Sequence, residues 1–204
     1  MKLGIIDLDT GNLASLSAAL VKLNISFKIC KDKSDFDDVN KLILPGVGAF
    51  KDFMKKLKDK GIDKILNEKV NNEISLLGVC VGFQVLFEDS CEHGLSKGLS
   101  YLNGNVISFK DINAKIEVPH VGWNECNIIK PNLLFDGIKN FSDFYFTHSF
   151  LVNKNNTDYV ITETDYKIKF ASGVQKKNIY GVQFHPEKSQ ANGMRILKNF
   201  YERC

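Results

Sequence analysis

Apolar residues follow two different rhythms along this chain. Over roughly the first ninety residues, short continuous apolar runs alternate with stretches of helical spacing. Residues 2–7 (KLGIID) form an apolar run closed by an acid, the pattern of a strand buried on both faces. Thr10-Gly11-Asn12 is turn chemistry, and Leu13, Leu16, Leu20 and Leu23 then recur at helical intervals over residues 13–23. Residues 26–30 predict a second strand and 42–44 a third, cut off by Pro45-Gly46. A lysine-rich helical region runs on to about Asn72, and residues 74–79 predict a buried strand that ends at Cys80. Strand–helix alternation of this kind predicts an α/β fold with a doubly wound, mostly parallel sheet.

The second half changes character. Residues 102–109, 126–130, 144–147, 160–163, 170–175 and 179–184 read as short strands separated by turns, and helical spacing returns at 193–203. No repeat, low-complexity tract or linker interrupts the chain, so the expectation is one domain over residues 1–204 with a β-rich second half.

Composition narrows this little. At 204 residues and 44% hydrophobic, the chain supports one sizeable core but not two ordinary domains. The net charge is only +3, and the lysines of residues 51–63 are interleaved with acids, the signature of a wet helical surface rather than a nucleic-acid patch. No apolar run approaches the ~20 residues that span a bilayer. The first eight residues are too short and too soon acidic for a secretory signal. Cys30, Cys80, Cys91, Cys126 and Cys204 are odd in number and irregular in spacing, with no CxxC. That pattern fits neither a disulfide framework nor a zinc site, and it leads to the expectation of a reducing, cytoplasmic setting and no metal.

Gly78-Val79-Cys80-Val81-Gly82 is the cysteine form of the nucleophile elbow, entered by a buried strand and left by a helix-compatible stretch at 84–87. A tight strand-to-helix turn lifts the Cys80 side chain over the sheet, crowds its own backbone so that the flanking residues must be small, and points new helical N–H groups at the sulfur. Gly181-Val182-Gln183-Phe184-His185-Pro186-Glu187 follows another strand. The proline between them holds the chain extended, so His185 and Glu187 point the same way and the carboxylate fixes the imidazole tautomer that leaves a nitrogen for a thiol. Pro45-Gly46-Val47-Gly48 ends the third strand, at the carboxyl ends of the strands where parallel α/β folds place their sites. There the Val47 N–H, with that of Val81, makes a candidate oxyanion pair.

PGVGAF, GVCVGFQ and GVQFHPEKSQ together resemble the class I (triad) glutamine amidotransferases over nearly the whole chain. Within that class, Pro119-His120-Val121-Gly122-Trp123-Asn124, Tyr145-Phe146-Thr147-His148-Ser149-Phe150 and Lys188-Ser189-Gln190 resemble the amidotransferase subunits of imidazole glycerol phosphate synthase. The resemblance implies a flavodoxin-like fold and no cofactor. It implies that Cys80 attacks the side-chain amide of glutamine, that His185 carries the proton with Glu187 orienting it, and that Val47 and Val81 hold the oxyanion. Gln84, Glu92, His148, Ser149 and Phe150 match substrate-contacting positions, whereas His93 and His120 are given no chemistry. Asn12, Trp123, Tyr145 and Lys188 match positions facing a (β/α)8-barrel cyclase, the heterodimer partner that uses the ammonia in histidine biosynthesis.

The sequence departs from the usual pattern of this family at Asp7-Leu8-Asp9-Thr10, where tyrosine and glycine are common, and at Val81, Phe83 and Phe150, where leucine, methionine and tyrosine are more usual. None of these removes a triad group. A sister amidotransferase that feeds a different acceptor, such as a nucleotide sugar, is the main alternative. A Cys-His peptidase or γ-glutamyl hydrolase would have no use for PHVGWN, and a decayed binding module would not keep Cys80, His185 and Glu187 together.

Overall fold

A computed structural model of the chain describes residues 2–9, 13–153 and 158–204. Its elements begin with β1 (Leu3–Ile6), α1 (Leu13–Lys22), β2 (Phe27–Cys30), β3 (Lys41–Gly46), α2 (Phe50–Asp59), α3 (Ile62–Asn71) and β4 (Ser75–Cys80). A single helical turn, α4 (Val81–Gln84), precedes β5 (Asp89–Ser90), β6 (Ser96–Lys97), β7 (Asn105–Ser108) and another short helix, α5 (Phe109–Ile112). Then come β8 (His120–Ile128), β9 (Ser142–His148), β10 (Phe150–Val152), β11 (Val160–Asp165), β12 (Lys169–Lys176), β13 (Ile179–Val182) and α6 (Gln190–Arg203).

The main sheet has nine strands in the order β2-β1-β3-β4-β13-β12-β11-β8-β9. The five strands from β2 to β13 run parallel, and β12, β11, β8 and β9 extend the sheet antiparallel. A smaller sheet, β10-β7-β5-β6, stands beside it. Every residue of β1, β3 and β13 is buried, as continuous apolar runs require in a sheet covered on both faces. Both α1 and α6 lie against the turn Pro186–Lys188, and α2 packs on α3.

Several boundaries differ from the sequence reading, each for a physical reason. Pro45 does not end β3: Pro45 and Gly46 still pair with Val79 and Cys80 of β4, whereas β1 pairs only as far as Ile43. The missing N–H of Pro45 therefore falls where β1 no longer pairs with β3. The lysine-rich region is two helices, parted where Gly61 turns into the left-handed region at φ 67°. The strand expected at 102–109 starts only at Asn105, and Phe109 already opens α5. The strand expected at 126–130 begins six residues earlier, at His120, so PHVGWN lies mostly on a strand. Along β8, His120 and Cys126 are buried while Val121, Trp123 and Glu125 are exposed.

Candidate active site

The site is built where the central parallel strands end. β4 lies between β3 and β13, and its last residue, Cys80, pairs with Gly46. Cys80 adopts φ 56°, ψ −111°, a conformation a side-chain-bearing residue holds only under constraint from its surroundings. The glycines supply that constraint. A Cβ on Gly82 would come within 1.8 Å of the Leu44 carbonyl oxygen, and one on Gly78 within 2.5 Å of the Gly82 oxygen. The elbow and the end of β3 are thus packed backbone to backbone, which only glycine allows. The helix leaving the elbow is α4 alone, one turn that begins at Val81 and ends at Gln84, where the stretch expected at 84–87 begins. Its electrostatic contribution is therefore that of individual N–H groups, Val81 first among them, rather than of a long dipole.

His185 is held by its backbone: its N–H donates to the Tyr145 carbonyl of β9 at 2.9 Å. Its Nδ1 donates to Glu187 Oε1 at 2.8 Å, and both side chains are almost wholly buried. The chain is not extended between them, as the sequence reading assumed. Pro186–Lys188 is a turn of 3-10 helix with proline at its start, where a fixed φ suits a helical turn, and that turn brings the carboxylate back onto the ring. With Nδ1 committed to Glu187, Nε2 is left for the thiol. Burial alone would push His185 down, but the negative charge of Cys80, a hydrogen bond to it and the Glu187 carboxylate outweigh burial and raise the group to about 10. Those interactions favour the charged imidazole beside the sulfur.

Cys80, Val81, His185 and the loop residues Val47 and Gly48 line one cavity of about 320 Å³. All five residues expected at the substrate, Gln84, Glu92, His148, Ser149 and Phe150, line the same cavity. Gln84 is oriented by its amide nitrogen, which donates to the Phe150 carbonyl and to Gln183 Oε1, each at 3.0 Å. Glu92 Oε2 accepts the N–H of Phe50, the first residue of α2, at 2.8 Å, which ties this carboxylate to the helix that follows the Val47 loop.

On the outward face of β8 and β9, Trp123 and Tyr145 are directly opposite in register, their rings edge to face at 6.0 Å. Lys188 places its ammonium 5.6 Å from the Tyr145 ring. Three of the four residues expected at a partner therefore share one patch; the fourth, Asn12, lies outside the described residues.

Sequence reasoning missed part of the cavity. Pro119 and Thr147 also line it, and the Thr147 carbonyl is 3.9 Å from Cys80 Sγ. Gln183, fully buried, points its amide nitrogen at the same sulfur from 4.0 Å. The period of two that a strand imposes puts Gln183 on the side of His185 and could have found it. His120, given no chemistry, donates or accepts within 2.9 Å of His148, its cross-strand partner.

These two histidines give the fold a pH dependence. Burial pushes His120 down to about 4 and His148 down to about 3, the latter opposed by its bond to the Phe150 carbonyl and assisted by the neighbouring His120 and His185. Above the ordinary histidine value of ~6.5 they add no slope. Below it the unfolded chain takes up protons that the fold refuses, so stability falls as the pH drops towards 4 and 3. His185 is already protonated in the fold, and the unfolded imidazole goes from half to nearly fully protonated in that window, so it offsets only about 0.4 kcal/mol of this loss. Denaturant unfolding is expected to lose about 3 kcal/mol between pH 6.5 and 5, because each of the two unfolded imidazoles is half protonated at 6.5 and reaches the full ~1.4 kcal/mol per pH unit only lower in the window. A flat profile over that interval would mean these rings are charged in the fold.

Among the described residues no helix is long and apolar enough to cross a membrane, and no cluster of His, Cys, Asp and Glu could hold a metal ion. Comparison with known proteins agrees with the geometry. The family profile "Glutamine amidotransferase class-I" matches residues 4–204. The chain is 43% identical over 200 residues to the imidazole glycerol phosphate synthase subunit HisH 1 of Campylobacter jejuni, covering 97% of this chain and 98% of that one. It is 42% identical to the subunit HisH of Moorella thermoacetica (98% and 94% covered) and 42% identical to that of Methanocaldococcus jannaschii (98% and 98% covered). Among solved structures, a crystal structure of a glutamine amidotransferase superposes with a TM-score of 0.77 at 19% identity, covering 98% of this chain and 97% of that one, a likeness of fold. The chain belongs to the class I glutamine amidotransferases.

Proposed function

We propose that the chain is the glutaminase subunit of an imidazole glycerol phosphate synthase, hydrolysing glutamine and delivering the ammonia to a (β/α)8-barrel cyclase subunit. The observation that carries the chemistry is the convergence of Cys80, the His185–Glu187 pair and the Val47 and Val81 backbone on one cavity whose wall also holds Gln84 and Glu92. The acceptor rests on full-length relatives at 42–43% identity. The family match across residues 4–204 supports one amidotransferase domain, and five free cysteines support a reducing, cytoplasmic setting.

Cys80 adds to the side-chain amide carbon of glutamine, and the oxyanion is met by the N–H groups of Val81 and Val47. His185, protonated by the thiol, gives its proton to the departing ammonia, which leaves a glutamyl thioester. Water then attacks with His185 as base, and glutamate is released. Glu92 suits the substrate's ammonium group, and Gln84, its nitrogen already committed, offers Oε1 to the same end. The Trp123, Tyr145 and Lys188 patch suits the cyclase, since a half-exposed tryptophan is a favoured anchor.

His185→Ala is expected to cost roughly 100-fold or more in turnover, as for loss of a base, and more than Glu187→Gln, which removes only the orienting charge. Near-normal turnover in His185→Ala would end the triad assignment. The acceptor is tested by mixing the chain with a purified histidine-pathway cyclase and its nucleotide substrate. Glutamine-dependent formation of imidazole glycerol phosphate is expected. A chain that hydrolyses glutamine but neither binds that cyclase nor supports the product serves another acceptor, such as a nucleotide sugar.

A further inference from the structure

We propose that His120 and His148 are positioning residues for glutamine hydrolysis: a buried chain of hydrogen bonds, each link of which runs in one direction only, leads from Asn124 through both imidazoles to the Phe150 carbonyl and from there through Gln84 and Gln183 to the sulfur of Cys80. This inference rests on the glutaminase reading and deepens it.

The direction of each link follows from which groups can only donate or only accept. Asn124 Oδ1 accepts the Glu125 N–H at 2.8 Å, so its nitrogen is the donor to the Asp165 carbonyl at 2.9 Å and to His120 Nε2 at 3.2 Å. His120 Nε2 is therefore an acceptor, and the proton of a neutral ring sits on Nδ1. That proton is given to His148 Nε2 at 2.9 Å. His148 in turn carries its own proton on Nδ1 and gives it to the Phe150 carbonyl at 2.7 Å, an oxygen that can only accept. The same oxygen receives Gln84 Nε2, whose second hydrogen goes to Gln183 Oε1. Gln183 is left with its nitrogen facing Cys80. A flip of either imidazole would set donor against donor or lone pair against lone pair.

Packing alone does not call for this chain. His120 is stacked between Tyr166 and Phe146, at ring distances of 4.1 and 4.8 Å, a slot that a phenylalanine would fill without burying two nitrogens. Buried polar rings cost free energy unless bonded, whereas an apolar pair of similar shape is close to neutral. What the polar pair adds is a fixed place for the Phe150 carbonyl, and with it a fixed orientation of Gln84 on the cavity wall. His120 does not itself line the cavity, so its effect there is indirect.

Two measurements test this. In the labelled wild-type chain, correlation of ring nitrogens with ring protons should find both His120 and His148 neutral with the proton on Nδ1; an Nε2 proton on either ring overturns the proposal. In the complex with the cyclase, with active sites counted by an acylating glutamine analogue, His120→Phe should raise KM for glutamine about tenfold and leave kcat within about threefold, the mark of lost uniform binding. His120→Asn, whose amide N–H stands where Nδ1–H stood, should bring KM back towards wild type. An unchanged KM in His120→Phe, or no recovery in His120→Asn, overturns it, and if His120→Phe fails to fold the tautomers decide. A wild-type complex that does not hydrolyse glutamine would refute the glutaminase reading instead, so the two failures are distinguishable.

Discussion

Replacing Cys80 with alanine is expected to abolish glutamine hydrolysis, by roughly 10⁴-fold or more, while the fold survives. No other group in the cavity can form the thioester, so nothing replaces the lost sulfur. The fold should survive because alanine meets the same positive φ and the same neighbours, and only the sulfur is lost from an elbow set by Gly78, Gly82 and the end of β3. An acylating glutamine analogue should label Cys80 alone. Burial pushes Cys30 and Cys204 up to about 11 and Cys126 up to about 12, so these remain thiols at neutral pH. Cys91 is exposed, but burial of its sulfur and the Asp111 carboxylate beside it also raise it. Among the described residues, Cys80 is the cysteine whose charge and hydrogen bond raise His185. Label found chiefly on Cys30, Cys91, Cys126 or Cys204 would refute the assignment, and so would a Cys80→Ala protein that keeps its turnover.

The parts of this site that can be read from the sequence are those where neighbours in the chain are neighbours in space. Gly78 to Gly82 is such a case: the elbow's chemistry and its steric need for glycine occupy five consecutive residues. His185 and Glu187 were legible as a pair, but the path between them was not, because a proline is compatible with an extended chain and with the start of a 3-10 turn, and tertiary contacts choose. The first six residues of β8 were hidden for a more instructive reason. Its inward positions, His120, Gly122 and Asn124, are polar or small, so the strand lacks the apolar alternation that periodicity detects. Those positions are tolerable inside only because His120 and Asn124 bond to each other and onward to His148, a partner 28 residues away in sequence. Strands β5 and β6, two residues each, and β10, of three, are too short to show any period, and their existence depends on the neighbours that pair with them. Asp7-Leu8-Asp9, a departure from the family pattern, is held by ion pairs of Lys31 with both acids and of Lys60 with Asp9, again long-range facts.

Glutamine turnover by the isolated chain is expected to be 100- to 1000-fold slower than turnover by the chain saturated with its cyclase and the cyclase's ligand. Ammonia set free in water is protonated and lost, so a synthase gains by hydrolysing glutamine only when the acceptor is in place. The expected control point is the loop between β3 and α2. Its start is anchored, because Gly46 pairs with Cys80, and its end is anchored, because the Phe50 N–H is held by Glu92. Between these anchors Gly48 stands at φ 96° with open space around it, and the Val47 N–H lies in the peptide after Gly46, which carries no Cβ; the expected gate is a turn of this backbone that aims the N–H toward the cavity or away from it. If one of two oxyanion donors is turned away, the barrier rises by ~3–4 kcal/mol, which is the size of the expected rate difference. The proposed docking face is close to this chemistry. Trp123 packs on Tyr145, and the Tyr145 carbonyl is the acceptor that holds the His185 backbone. A cyclase seated on Trp123 and Lys188, as proposed, would bear on β9, whose Tyr145 carbonyl holds the His185 backbone. Trp123→Ala should weaken complex formation or the activation that follows it, while an acylating analogue still labels Cys80. Equal turnover with and without saturating cyclase would dispose of the gating loop but leave the amidotransferase chemistry standing. Unchanged affinity and activation in Trp123→Ala would remove that residue from the docking face.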